Sequence, residues 1–154
     1  CEFFSAALAR EGLDPLPAWH PPAESVPSNP ALAARYPLAL ITPPARNFLN
    51  STFANQARFL ADEGGPKLEI HPGDAAARGI VDGVRLRIRN DRGHFVAHAV
   101  VTTDVRPGVA CSPSVWWPKL CEGGRNVNAV TSPAATDMGG GPIFYDCLVE
   151  VSAQ

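Results

Sequence analysis

The sequence predicts a mainly β fold, a closed β-barrel with short flanking helices. Two observations carry this. Val84-Arg85-Leu86-Arg87-Ile88-Arg89 alternates apolar and charged residues with the two-residue period of a half-buried strand, and the other apolar runs are short as well. Gly 13 and Pro 16 in 154 residues punctuate the chain too often for long helices. The runs amount to about seven strands and two short helices, and a sheet of many short strands removes its exposed edges by closing on itself.

In chain order, residues 1–14 read as a short strand followed by a helix, with Ser5 capping Ala6 to Glu11 and Gly12 ending it. Residues 15–35 hold Pro15, Pro17, Pro21, Pro22, Pro27 and Pro30. Proline fixes φ and lacks an amide donor, so this stretch is expected to be an extended connector. The boundary falls near Arg35: residues 1–35 are a leader, residues 36–154 the barrel domain. Tyr36 to Thr42 is a strand stopped by Pro43 and Pro44. A polar loop over 42–56 leads to a helical turn over Gln56 to Ala61 and a strand over Lys67 to Ile70.

Asp74 is expected to cap a short alanine-rich helix that Gly79 ends, with Ile80 folding back onto the core. After the Asp82-Gly83 turn, the strand Val84 to Arg89 pairs with His94 to Thr103 across the hairpin Asn90-Asp91-Arg92-Gly93. Arg106-Pro107-Gly108 turns into a strand over Val109 to Ser112. Residues 113–141 are mostly loop, and Phe144 to Val151 is the last strand.

Composition excludes several classes. Hydrophobic residues at 45% and charged residues at 18% describe a globular chain with a real core. A net charge of -2 provides no nucleic-acid surface and no membrane patch. No apolar run approaches the roughly 20 residues that span a bilayer, so no direct membrane insertion is expected. A chain beginning with Cys1 is expected to be a processed or excised product. Cys1, Cys111, Cys121 and Cys147 include no Cys-x-x-Cys spacing, so no metal cage is expected within the chain. Free thiols suit a reducing compartment, and a cytoplasmic location is favoured.

No catalytic motif is present: there is no Gly-x-Ser-x-Gly, no His-Glu-x-x-His and no phosphate loop with lysine. His94 and His98 share a strand face roughly 13 Å apart, too far for one ion, and read as solvated. Arg85, Arg87 and Arg89 form either a solvated outer face or a surface for pyrophosphate or an acidic partner. Of Trp116 and Trp117, one belongs to the core and one faces out. Two loops are dense in neutral donor–acceptor side chains: Thr42, Asn47, Asn50, Ser51, Thr52 and Asn55 in one, Asn126, Asn128, Thr131, Ser132, Thr136 and Asp137 in the other. Such groups suit a heterocycle with many N–H and C=O groups, and equally suit ordinary turns.

Across these residues the chain resembles the C-terminal domain of the molybdopterin oxidoreductase superfamily, whose members include formate dehydrogenases and dimethyl sulfoxide reductases. The likeness is carried by Leu40-Ile-Thr-Pro-Pro-Ala-Arg-Asn-Phe-Leu-Asn-Ser-Thr-Phe53, by Glu69 to Gly83, by the hairpin Val84 to Gly93, and by Asn126-Val-Asn-Ala-Val-Thr131 leading to Asp137 and Tyr145. Glu2 to Leu8 and Gly12 to Pro17 also resemble the segment that joins this domain to the preceding one.

The resemblance implies a double-psi β-barrel of the aspartate decarboxylase-like kind, closing over a molybdopterin guanine dinucleotide with molybdenum or tungsten. It implies cofactor contacts from Thr42, Pro43, Arg46, Asn50, Ser51 and Thr52, from Asn126 or Asn128, and from Ser114, Trp116 and Tyr145. It assigns this chain no catalytic residue and no metal ligand. Partners would be the preceding domains of the polypeptide, where an iron–sulfur cluster could reside, the pterin itself and an electron-transfer subunit. The full-length protein would be the enzyme, and this domain alone would be inactive. The alternatives are a free-standing barrel enzyme of decarboxylase type, whose self-processing Gly-Ser pair is absent here, and a structural barrel without cofactor.

Overall fold

The computed structural model describes residues 3–16, 18–19, 21–136 and 139–154; Cys1, Glu2, Pro17 and Asp137 of the sequence reading lie outside them. Six strands form in chain order: β1 (Leu38–Ile41), β2 (Lys67–Ile70), β3 (Arg85–Arg89), β4 (His94–Val101), β5 (Val109–Cys111) and β6 (Leu148–Ala153). They close in the order β1-β5-β2-β4-β3-β6, and β6 returns to β1. β1 runs parallel to β5 and β2 parallel to β4, while the other four pairings are antiparallel. The closed barrel expected from the sequence is the fold observed, with six strands among the described residues rather than seven.

The core explains the strand pattern. Leu38, Leu40, Leu68, Ile70, Leu86, Ile88, Val149 and Val151 are sealed from solvent in one cluster. Each such side chain contributes about 1.5–3 kcal/mol on burial. Ala97, Ala99 and Ala110 fill the same interior from β4 and β5. A narrow barrel has no room for large side chains from every strand, so small ones alternate with them. Along β3, Leu86 and Ile88 are buried while Arg85 and Arg89 are exposed, as the alternation predicts.

Four short helices flank the barrel: α1 (Ala6–Arg10), α2 (Pro30–Ala33), α3 (Ala57–Glu63) and α4 (Pro72–Ala76). Ser5 caps α1 as expected, accepting from Leu8 N at 3.3 Å. Four expectations need correction. Phe3 and Phe4 are exposed and form no strand. The proline-rich connector contains α2, which Asn29 caps and Pro30 opens. The cap of α4 is His71, whose Nδ1 accepts from Gly73 N at 3.1 Å. Pro72 occupies the first turn, where its missing donor costs nothing, and this places Asp74 inside the helix. Asp74 instead accepts from Gly108 N at 2.7 Å, tying α4 to the turn before β5. The last strand begins at Leu148, because 143–146 form a turn closed by Asp146 N donating to Ile143 O at 2.9 Å.

The segment ahead of β1 packs against the barrel. Ala33 and Tyr36 cluster with Leu148. The Glu24 carboxylate pairs with Arg92 of the hairpin and accepts from Leu148 N at 3.3 Å. Tyr36 donates its hydroxyl to Asp91 at 2.7 Å, and Arg35 pairs with the same carboxylate. No helix among the described residues is long and apolar enough to cross a membrane.

Candidate functional site

Past the end of the barrel, β1 and β5 keep pairing. Ser112 N donates to Ile41 O at 2.9 Å and Ser114 N to Pro43 O at 2.8 Å, and a parallel bridge joins Pro44 to Ser114. Two loops therefore leave the barrel side by side. Ser114 is buried, and its hydroxyl donates to Thr42 O at 3.2 Å or Pro43 O at 3.3 Å.

The first loop folds over a small core of its own. Ala45, Phe48 and Ala54 are buried with Trp116 and Cys121, and the Phe48 and Trp116 rings meet edge-on at 5.0 Å. The buried Glu63 of α3 accepts from Asn47 N at 2.5 Å. Leu49 and Thr52 exchange backbone hydrogen bonds at 2.9 and 3.1 Å, leaving Asn50 and Ser51 as a two-residue tip. Asn50 sits at φ 52, a left-handed conformation that asparagine tolerates better than most residues. Trp117 Nε1 clips the tip by donating to Ser51 O at 2.7 Å. The tryptophan pair thus splits as expected: Trp116 is buried, and Trp117 faces the loop.

The second loop is organised by Asn126. Its Oδ1 accepts from Asn128 N at 3.1 Å, capping a 3-10 turn over Val127–Ala129, and its Nδ2 donates to Trp116 O at 2.7 Å. Both ends of that side chain are occupied. Asn128 is left facing outward at the next exposed position.

These pieces enclose a cleft of about 460 Å³. Thr42, Pro44 and Asn50 line it from the first loop, with Ser114 and Val115 from the segment after β5. Asn128, Thr131 and Ser132 line it from the second loop, and Pro142, Phe144 and Tyr145 from the segment before β6. The Phe144 and Tyr145 rings pack edge-on at 4.7 Å and are largely exposed. Among the described residues the lining holds no charged side chain. Among the described residues, the side-chain amides of Asn50 and Asn128 have no hydrogen-bond partner. Neutral donors and acceptors beside two exposed aromatic rings fit a flat polar heterocycle such as a pterin.

Of the positions implied by the resemblance, Thr42, Asn50, Ser114, Asn128 and Tyr145 line this cleft. Pro43, Arg46, Ser51, Thr52, Trp116 and Asn126 do not. Pro43 and Ser51 are engaged through their carbonyls, Thr52 closes the tip, Trp116 is core and Asn126 is the cap. Arg46 is exposed. The cleft adds Pro44, Val115, Thr131, Ser132, Pro142 and Phe144. The density of hydroxyl residues in the second loop signalled Thr131 and Ser132; nothing local signalled Phe144, whose segment reads as strand.

Other candidates lie elsewhere. His98 is exposed on β4, whereas His94 is half-buried against Arg87 and Arg125, not solvated as expected. Arg85 pairs with Glu122, Arg89 lies over the Tyr36 ring, and Arg87 is half-buried.

Comparison with known proteins gives four findings. Residues 38–148 match the family model described as the molydopterin dinucleotide binding domain. The chain is 37% identical over 152 residues to a Bacillus subtilis protein named Probable oxidoreductase YoaE, covering 97% of this chain and 21% of that protein. It is 36% identical over 161 residues to the biotin sulfoxide reductase of Cereibacter sphaeroides, again 97% of this chain and 21% of the relative. The chain thus spans about a fifth of the length of these relatives. Its fold superposes with a TM-score of 0.85 on acetylene hydratase from Pelobacter acetylenicus, at 21% identity, over 99% of this chain and 23% of that one.

Proposed function

The chain belongs to the family of molydopterin dinucleotide binding domains, and from that premise we propose that its loop-built cleft forms one side of a pterin dinucleotide site in a larger oxidoreductase. The observation that carries the reading is the convergence of the Asn50 and Asn128 side-chain amides, both without partners among the described residues, on one cleft whose described lining is uncharged. A dinucleotide is larger than this space, so the preceding polypeptide supplies the rest of the socket. Residues 1–35 are the leader arriving from it, and residues 36–154 the barrel domain.

Bound there, the cofactor supplies two-electron redox chemistry at its metal, molybdenum in our reading with tungsten the alternative. This chain binds and orients. Asn50 and Asn128 each offer two donors and an acceptor to ring N–H and C=O groups, and the hydroxyls of Thr42, Thr131 and Ser132 add adjustable partners. Phe144 and Tyr145 line the cleft and keep water from the ring. Arg46, exposed beside the loop, offsets charge on a pterin or phosphate oxygen. Every such hydrogen bond contributes about 0.5–1.5 kcal/mol when matched, and an orphaned amide costs about 1–3 kcal/mol once the site closes.

The chemistry belongs to the full-length protein, and this domain alone is folded but inactive. An iron–sulfur cluster in the preceding polypeptide, an electron-transfer subunit and a cytoplasmic location complete the proposal. The test is the full-length protein with Asn50→Ala and Asn128→Ala. Pterin released by denaturation and measured by fluorescence should fall several-fold in the double variant, with turnover falling alongside. Normal pterin loading and turnover would overturn the assignment of the cleft.

A further inference from the structure

The outer face of the β3–β4 hairpin holds a cluster that the pterin reading does not use. Arg87 projects from β3, His94 opens β4, and Arg125 reaches across from the loop ahead of the Val127–Ala129 turn. Arg87 Nη2 lies 3.3 Å from His94 Nδ1, and Arg125 Nη1 lies 2.9 Å from His94 Nε2 and 3.3 Å from Nδ1. Two guanidinium groups therefore converge on one imidazole.

The donor count does not balance. Burial, then Arg87 and Arg125, hold the His94 pKa below its ordinary value, so the ring is neutral near pH 7. A neutral imidazole has a single acceptor nitrogen, while guanidinium groups only donate. With Nδ1 as the acceptor, both guanidinium groups compete for it and Arg125 also meets the Nε2 hydrogen; with Nε2 as the acceptor, Arg87 meets the Nδ1 hydrogen. Arg87 Nε is also buried without a hydrogen-bond partner among the described residues. Neither Arg87 nor Arg125 has a carboxylate within salt-bridge distance among those residues, and Glu122, the nearby acid, is taken by Arg85. The cluster has spare donors and positive charge and lacks an acceptor.

We propose that Arg87, Arg125 and His94 form a binding site for an oxyanion, the terminal oxygens of a phosphate or a carboxylate. A group with two or three terminal oxygens would accept from both guanidinium forks, and a small rotation of Arg87 would give its Nε an acceptor. The His94 N–H would donate to the same group, removing the donor–donor contact. The site stands on this geometry and not on the pterin reading.

Calorimetric titration of the purified protein with inorganic phosphate, and separately with acetate, at ionic strength fixed by chloride, tests it. Saturable binding of either anion is expected, and which one binds tells phosphate from carboxylate chemistry. Arg87→Gln and Arg125→Gln should each weaken it by at least about tenfold, with circular dichroism unchanged. Arg125 is exposed, so its variant does not endanger the fold. No saturable binding of either anion, or equal affinity in wild type and Arg125→Gln, overturns the proposal.

Discussion

Two asparagines two positions apart do opposite work. Asn126 spends its side chain inside the molecule, capping the 3-10 turn and holding the Trp116 carbonyl. The Asn128 side chain has no internal partner among the described residues and lines the cleft. Asn126→Ala should therefore lower the unfolding free energy by about 1–3 kcal/mol, read as a lower urea midpoint at constant slope. Asn128→Ala should stay within about 0.5 kcal/mol of wild type, with its effect confined to cofactor retention. If the two variants unfold at the same urea concentration, the assignment of cap and ligand is wrong.

At the scale of elements, the β3–β4 hairpin and the Asn128 turn are pressed together. A Cβ placed on Gly93 would lie 2.9 Å from the Ala129 carbonyl oxygen, a backbone atom that cannot swing aside. The hairpin tip thus supports the turn that carries Asn128. Gly93→Ala should cost about 1–3 kcal/mol in urea unfolding, and in the full-length protein it should also reduce pterin content, although residue 93 lines no part of the cleft. Wild-type stability for Gly93→Ala would refute this contact. The pairing of Arg78 with Glu150, at 2.8 Å and partly buried, fastens α4 to β6 in a comparable way.

Across the whole molecule, the barrel seals thiols. Cys111, Cys121 and Cys147 are free and buried. Burial pushes Cys111 up to about 12, with Glu69 adding to the effect, and pushes Cys147 up to about 11 against the pull of Arg92. The unfolded thiols ionise near 9.0. Folded values above unfolded ones mean that this stabilisation is complete below about pH 9 and is lost as pH rises towards 11 and 12. Urea unfolding of wild type should show stability falling above pH 9, and the Cys111→Ala/Cys147→Ala variant should show a flatter decline over that window. Parallel declines in the two proteins would contradict it.

Local chemistry made much of this legible in the sequence. The β3 alternation, the Asn90–Gly93 hairpin, the Ser5 cap and the turn at Gly79 each depend on residues within a few positions of one another, so reading along the chain suffices. The two polar loops were likewise visible as candidates. What the sequence left open was settled by contacts between distant segments. Apolar alternation tells which face of a strand is buried and says nothing of which strand lies beside it, so the order β1-β5-β2-β4-β3-β6 and its two parallel pairs came only from packing. That the Asn126 side chain is engaged within the fold followed from where the Trp116 carbonyl falls, and the contact of Asp74 from where Gly108 falls. A side chain's hydrogen-bond partner is decided in space, and a polar residue becomes available to a ligand only when the folded chain leaves it unclaimed.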